Sequence, residues 1–269
     1  MNLSAFARAY RAVLANSWAT MVQYRAAVVL WTLWSLGGPV IQLAVWAAIA
    51  GAQGGAVGGF TRDAFVAYFL VQMIVYHFTS AWQVYEFSYQ IRQGSLSFQL
   101  LRPFDPSHYI VAGNVAFKLL NLVWLIPIWA GLFWIYRPHF APSLGQAALF
   151  IVTLVWAGAL RFLWVHCWAM LSFWTVRASN ISDLFEGVVY LVGGGVAPIA
   201  VLPPLLQSVA GLLPFRYMLG FPIEVALGRV AGADAWWGIG WMAFWTALFF
   251  VVYRALWAAG LKRFGAVGA

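Results

Sequence analysis

The stretch YEFSYQIRQGSLSFQLLRPFDPS, residues 85–107, is the longest polar interruption in the first half of a very apolar sequence. Within it, Gly94 predicts the end of one helix in a left-handed conformation, and Ser95 predicts the N-cap of a second helix. Pro103 ends this second helix, because a proline disfavours helical geometry in the residue before it. The Asp-Pro pair at 105–106 is a cap followed by a first-turn proline. The stretch therefore predicts a short helix between two long ones.

The predicted short helix carries three leucines, Leu96, Leu100 and Leu101, which its spacing places on one face. A short helix outside the membrane leaves such a face in water unless another protein covers it. We therefore expect a cytosolic coupling helix in this stretch, with a partner protein bound to its apolar face.

The composition predicts a polytopic membrane protein. Of the 269 residues, 64% are hydrophobic and 8% are charged, and the mean hydropathy is +0.83. So little charge cannot cover the surface of a soluble domain. The net charge of +8 does not indicate a nucleic-acid partner, because membrane topology accounts for the placement of the cations. The single cysteine, Cys167, excludes an intrachain disulfide and a cysteine-based metal cluster.

The apolar stretches predict an all-α fold with six transmembrane helices, forming a single membrane domain over residues 1–269. Residues 203–235 contain apolar segments too short to cross a hydrocarbon core of about 30 Å, and they predict re-entrant helices before the last span. The six predicted spans are Ala26–Ala50, Ala64–Val84, Tyr109–Tyr136, a part of Leu144–Val176, Leu184–Leu202 and Trp236–Ala258.

Residues 1–25 predict an amphipathic helix that lies in the membrane interface. Arg8 and Arg11 share one face of this helix, while Phe6 and Tyr10 occupy another. An N-terminal extension of the first span is the alternative for this segment.

The lysines and arginines predict the orientation of the spans. With both termini in the cytoplasm, nine of these side chains fall on the cytoplasmic side and four on the external side, while Lys118 and Arg161 lie within spans. Positive charge accumulates on the cytoplasmic side of membrane proteins. We therefore expect both termini and residues 85–107 in the cytoplasm, and residues 203–235 outside.

A Walker A loop, which binds the phosphates of ATP, requires a Gly-Lys pair. The two lysines of this chain, Lys118 and Lys262, follow Phe117 and Leu261 instead. If ATP drives this protein, the nucleotide therefore binds to another polypeptide.

The segment IRQGSLSFQLLRPFDP, residues 91–106, and the order of the predicted elements resemble the permease subunits of bacterial ABC exporters of the type V fold. The resemblance implies a multi-pass protein of the bacterial inner membrane that moves a substrate out of the cytoplasm. It implies two kinds of partner besides membrane lipid: ABC ATPase subunits, which carry ATP and magnesium, and a second permease subunit, either the same chain or a paralogue. No cofactor is expected on this chain. The resemblance places the ATPase contact at Ile91, Arg92, Gly94, Leu96, Leu100, Leu101, Arg102 and Pro103.

Arg161 lies in the middle of an apolar stretch, where a charged side chain is costly and usually faces protein or water. It is a candidate residue of the translocation pathway, where it would contact an anionic substrate. The alternatives are a structural pair with Glu186 of the fifth predicted span, or an arginine that reaches the interface. The sequence leaves the substrate open among drug-like molecules, lipids and glycans.

The competing function is a stand-alone secondary transporter or channel. Carriers coupled to protons or sodium usually need an acid within the membrane. Only Glu86 and Glu186 come near the predicted spans, and both lie close to cytosolic ends. His77 and His166 lack the spacing of metal ligands, and no serine, histidine and acid constellation indicates hydrolysis. We therefore expect a transport subunit and not an enzyme.

Overall fold

The computed structural model describes residues 3–102, 104–139 and 141–265. Helices dominate these residues, which confirms the predicted all-α membrane protein. In chain order, the helices are α1 Leu3–Gln23, α2 Arg25–Ala52, α3 Arg62–Thr79, α4 Gln83–Arg92, α5 Ser95–Leu100, α6 Pro106–Tyr136, α7 Leu144–Met170, α8 Ala178–Val192, α9 Pro204–Leu212, α10 Pro214–Met218, α11 Gly220–Ala226 and α12 Gly232–Arg263.

Five helical stretches among the described residues are long and apolar enough to cross a membrane. They correspond to five of the six predicted spans, and α2, the shortest, has 28 residues and a length of about 42 Å. The five stretches are α2, α3 continued by α4 (Arg62–Arg92), α6, α7 continued by a 3-10 turn (Leu144–Phe173), and α12.

The remaining predicted span, Leu184–Leu202, is not a continuous helix. Its helical part, α8, has 15 residues and a length of about 22 Å, too short to cross the hydrocarbon core. Beyond α8 the backbone turns at Gly194, where φ is +96°. The described residues therefore contain five helical stretches of spanning length, one of them interrupted at residues 80–82 between α3 and α4, and one broken segment where a sixth span was predicted.

The carbonyl groups of the broken segment receive hydrogen bonds from buried side chains of α3. The hydroxyl of Tyr68 donates to the carbonyl oxygen of Gly194 at 2.8 Å, and the side-chain amide of Gln72 donates to that of Gly195 at 2.7 Å. Irregular backbone at membrane depth is stable only where protein or a water-lined cavity surrounds it. These contacts with α3 explain why the chain can leave the helix at this point.

The region before α12 contains three short helices, α9, α10 and α11, where two apolar segments were predicted. The second predicted segment, Tyr217–Leu227, is divided at Leu219, whose backbone leaves helical geometry with φ −140° and ψ −64°. Every residue of α11 is buried, and α11 packs against both α3 and α7. The region therefore consists of short helices, and its re-entrant character stays a prediction.

The glycine-rich loop between α2 and α3 forms a hairpin, which the sequence did not lead us to predict. Strand β1, Ala56–Val57, pairs antiparallel with strand β2, Phe60–Thr61. The two connecting residues, Gly58 and Gly59, have φ angles of +55° and +76°. Positive φ at both central residues is the requirement of the tightest hairpin turn, and glycine meets it without strain.

Helix α1 is confirmed, and one turn residue, Tyr24, separates it from α2. Its aromatic face packs on the start of α6, where the Phe6 ring stacks on Phe104 at 5.2 Å between centroids. The Tyr10 ring meets His108 edge-on at 5.9 Å. Arg8 lies on the exposed side of α1, as the amphipathic pattern predicted.

Two apolar cores hold the helices together. One core lies around α2, α3 and α11 and includes Phe65 and Ile223. The other lies around α4, α5, α7 and α12 and includes Phe87, Leu96 and Trp257. We call this second group the α5 core, because it contains the buried side of the short helix α5.

Candidate functional site

The predicted short helix is present between Gly94 and Asp105, and it begins one residue earlier than predicted. Gly94 adopts the left-handed conformation with φ +69° and precedes α5 directly. Ser95, predicted as the N-cap, is instead the first residue of α5, and Gly94 occupies the cap position. At the other end, the carboxylate of Asp105 accepts a hydrogen bond from the backbone N–H of Ser107 at 2.9 Å and caps α6.

The three leucines of the segment do not share one face, which corrects the prediction. Leu96 is 0% exposed and packs inside the α5 core, whereas Leu101 is 84% exposed. Leu100 is intermediate between them, at 37%. Because α5 has only six residues and Leu96 anchors it, the residues two and five positions further along, Phe98 and Leu101, point outward.

Phe98 is a surface residue that the sequence reasoning missed. It is 71% exposed, the largest apolar exposure within α5 itself. Its position three residues before Leu101 is a signal for a shared helix face, although α5 is too short for periodicity alone to show which face is outside. We define the α5 patch as Phe98, Leu100 and Leu101.

The other residues of the expected ATPase contact surround the α5 patch. Ile91 is half-buried against the α5 core, while Arg92 and Arg102 are exposed. The guanidinium carbon of Arg102 lies 5.4 Å from the centroid of the Tyr109 ring, a distance typical of a cation–π contact. Pro103 lies outside the described residues.

Arg161 and Glu186, the two candidate pathway residues, lie together. A guanidinium N–H of Arg161 donates to the Glu186 carboxylate and joins α7 to α8. The Arg161 side chain is 2% exposed and that of Glu186 is 31% exposed. Of the two alternatives left open for Arg161, the paired arrangement is the one present, and Glu186 is the member of the pair that reaches the protein surface.

A second buried ion pair involves Glu224, which we did not predict as a membrane acid. Glu224 of α11 is 9% exposed, and its carboxylate accepts hydrogen bonds from Nε and Nη2 of Arg216 at 3.2 and 2.7 Å. The spacing of eight residues crosses the break between α10 and α11, so helical periodicity gives no signal for this pair. Glu224 is thus a buried acid in addition to the two that the sequence analysis named, Glu86 and Glu186.

Lys118 is bound to the end of α3. Its ammonium group donates to the carbonyl oxygen of Phe78 at 2.7 Å, and a lysine at this position satisfies one of the carbonyls left open at a helix C-terminus. Gly158 of α7 lies against the same carbonyl, since a Cβ atom there would stand 2.9 Å from the Phe78 oxygen. The three groups together hold α3, α6 and α7 in close contact.

The comparisons with known proteins agree with this architecture. A family model described as ABC-2 family transporter protein matches residues 36–268, from the middle of α2 to beyond the end of α12. No curated protein matches the chain significantly. The family match covers most of the chain and includes α5, both buried ion pairs and the broken segment. The chain therefore belongs to the ABC-2 transporter family, and it is a multi-pass permease subunit of an ABC transporter.

Proposed function

We propose that this chain is the membrane-spanning subunit of an ABC exporter and that its ATPase binds the α5 patch. The single observation that carries the proposal is the contrast within α5. Leu96 is fixed in the α5 core, whereas Phe98 of α5 is 71% exposed and Leu101, which directly follows α5, is 84% exposed. Two exposed apolar side chains on a firmly anchored helix suit a helix-in-groove contact.

The anchoring of α5 supports its role in transmitting movement. Leu96 belongs to the same core as Phe87 of α4 and Trp257 of α12. On α4, the side-chain amide of Gln83 donates to the carbonyl oxygen of Phe162 on α7 at 2.7 Å. Because packed interiors transmit displacement, a movement of α5 would shift the neighbouring ends of α4, α7 and α12 together.

The surface around Glu186 supports a second permease subunit. Glu186 lines a cavity of about 410 Å³ together with Gln42, Tyr76 and Tyr190. A carboxylate and an amide at membrane depth usually face protein or water and not lipid. In our proposal, two permeases face each other across this surface and enclose the translocation path, in the inner membrane of a bacterium.

The orientation follows from the charge distribution. Both termini and the α5 patch lie in the cytoplasm, where an ATPase can reach them, and the short helices α9, α10 and α11 lie on the external side. Export requires a substrate site that can be loaded from the cytoplasmic half. Tyr76 lies in the last turn of α3, next to α4, and Glu186 lies in the middle of α8, which also contacts α4. In our proposal these two residues meet this requirement.

The buried acids disfavour the stand-alone carrier. A proton-coupled carrier needs an acid that can take up and release a proton. Glu186 is paired with Arg161 and Glu224 with Arg216, so protonation of either acid would leave an arginine without its counter-charge. An ATP-driven permease does not require such a step.

The test is co-purification of the permease with its co-expressed ABC ATPase. We expect a double Phe98→Asp, Leu101→Asp variant to reach the membrane at the normal level and to lose the ATPase. Burial of each apolar side chain contributes about 1.5–3 kcal/mol, so losing both weakens binding by about a hundredfold or more.

Leu144→Asp is the matched control, because Leu144 is 89% exposed and lies at the opposite end of the helices. This variant should retain the ATPase in full. A full complement of ATPase on the double variant would overturn the assignment of the contact to α5.

A further inference from the structure

A cavity of about 400 Å³ lies between α2, α3, α4 and α6 and is distinct from the α5 patch. Its volume is within the range of about 300–1,000 Å³ typical of small-molecule sites. Rings dominate its lining, and Trp82 and Phe117 meet edge to face with 4.6 Å between centroids. The aromatic side chains of the lining are Trp31, Tyr76, His77, Trp82, Tyr85 and Phe117.

Several hydrogen-bonding groups in this lining are satisfied within the protein. The hydroxyl of Thr32 donates to the side-chain oxygen of Asn121, and the amide nitrogen of Asn121 donates to the carbonyl oxygen of Phe117 at 3.0 Å. The hydroxyl of Ser80 donates to the carbonyl oxygen of His77 at 3.0 Å. A ligand rich in hydroxyl groups, such as a glycan, would lose hydrogen bonds to water here without full replacement.

A carboxylate lies next to Tyr85, one of the lining residues. The hydroxyl of Tyr85 donates to the carboxylate of Asp183 on α8, and Asp183 forms no ion pair among the described residues. Arg161 is paired with Glu186, and the ammonium group of Lys118 donates to a backbone carbonyl of α3, so neither forms an ion pair with Asp183. An aromatic lining beside a carboxylate that forms no ion pair among the described residues is complementary to a positive ligand.

We propose that this cavity binds an organic monocation with an apolar or aromatic body. Such a cation would rest against the faces of the Trp31 and Trp82 rings, with Asp183 near its charge. Aromatic cages recognise quaternary ammonium groups in this way, because the face of each ring is electronegative. The identification of this ligand as the exported substrate rests on the function proposed above, whereas binding itself can be measured on the permease alone.

Tetraphenylphosphonium and tetraphenylborate provide the test, because they have nearly the same shape and opposite charges. Equilibrium dialysis against the purified full-length permease in nanodiscs should give saturable binding of tetraphenylphosphonium. Nanodiscs that contain the permease should bind no more tetraphenylborate than empty nanodiscs do. Equal binding of the two ions by the permease would overturn the proposal.

Two variants locate the binding site. Trp82→Leu keeps an apolar side chain but removes the ring face, and we expect tetraphenylphosphonium to bind about two- to thirtyfold more weakly. Asp183→Asn should also weaken binding of this cation. Trp134→Leu is the control, because Trp134 is 72% exposed and lies at the far end of α6. Wild-type affinity in both Trp82→Leu and Asp183→Asn would overturn the proposal.

Co-purification of the ATPase separates this inference from the proposed function. Trp82→Leu should keep the ATPase while it loses the cation, whereas Phe98→Asp with Leu101→Asp should lose the ATPase and keep the cation. Absence of cation binding in a permease that still holds its ATPase would refute the cation site alone.

Discussion

The ion pair between Arg161 and Glu186 should respond asymmetrically to removal of its two members. Glu186→Gln leaves a guanidinium that is 2% exposed without a counter-charge, and such a loss costs about 3–5 kcal/mol. Arg161→Met leaves a carboxylate whose side chain is 31% exposed, so water can solvate it. Solvent screening reduces the lost pair energy in that variant to about 1 kcal/mol. We therefore expect Glu186→Gln to be the more harmful change.

The assay is heating of the purified permease in detergent, followed by size-exclusion chromatography of the fraction that stays monodisperse. Each kcal/mol of lost stability lowers the Tm of a chain of this size by about 2–4 °C. Glu186→Gln should therefore lower the Tm by about 6–20 °C, and Arg161→Met should lower it by about 2–4 °C. The double Arg161→Met, Glu186→Met variant should recover much of the loss, because no buried charge remains.

Arg137→Asn is the control for this series. Arg137 is exposed and has φ +43°, a conformation that asparagine tolerates, so the Tm should not change. A Tm for Glu186→Gln equal to or above that of Arg161→Met would refute the inference that burial of the arginine makes the pair asymmetric.

Three further changes test the topology and the packing. Single cysteines are introduced at Gln93 and at Ser208 in a chain whose native Cys167 is replaced by serine. The two cysteines should react with an impermeant thiol reagent from opposite sides of the membrane. Labelling of both from the same side would contradict the proposed orientation. Gly158→Ala places a methyl group 2.9 Å from a backbone carbonyl of α3 and should lower the Tm, whereas Gly113→Ala, with open space around it, should not. Leu96→Ala should cost about 2–5 kcal/mol and reduce the amount of folded permease in the membrane, measured by quantitative immunoblotting.

Signals that act over a few residues were predicted well. The left-handed Gly94 and the cap at Asp105 both satisfy backbone groups within one helical turn, so the sequence shows them directly. The direction in which α5 faces was not predictable in the same way. It depends on the burial of Leu96 in the α5 core, and the sequence does not distinguish Leu96 from Leu101, because both are leucines.

Interactions between distant residues account for the predictions that failed. The fifth predicted span is apolar and of suitable length, yet it breaks at Gly194 because the hydroxyl of Tyr68, 126 residues earlier in the chain, supplies the hydrogen bond that a helix would have made. The acid Glu224 was not named because its segment, within residues 203–235, was expected to form re-entrant helices on the external side. In the folded chain α11 is enclosed by α3 and α7, and Arg216 compensates the charge.

The sequence by itself determined that the protein is helical and spans a membrane, and it determined where a short helix lies between α4 and α6. Hydropathy, charge placement and capping are properties of neighbouring residues, and they need no knowledge of the fold. Only the tertiary structure decided which leucines are exposed, which arginine meets which acid, and that Trp82 and Phe117 enclose one cavity. Each of these depends on the packing of helices far apart in the chain, because burial and pairing are set by the neighbours that a side chain acquires on folding.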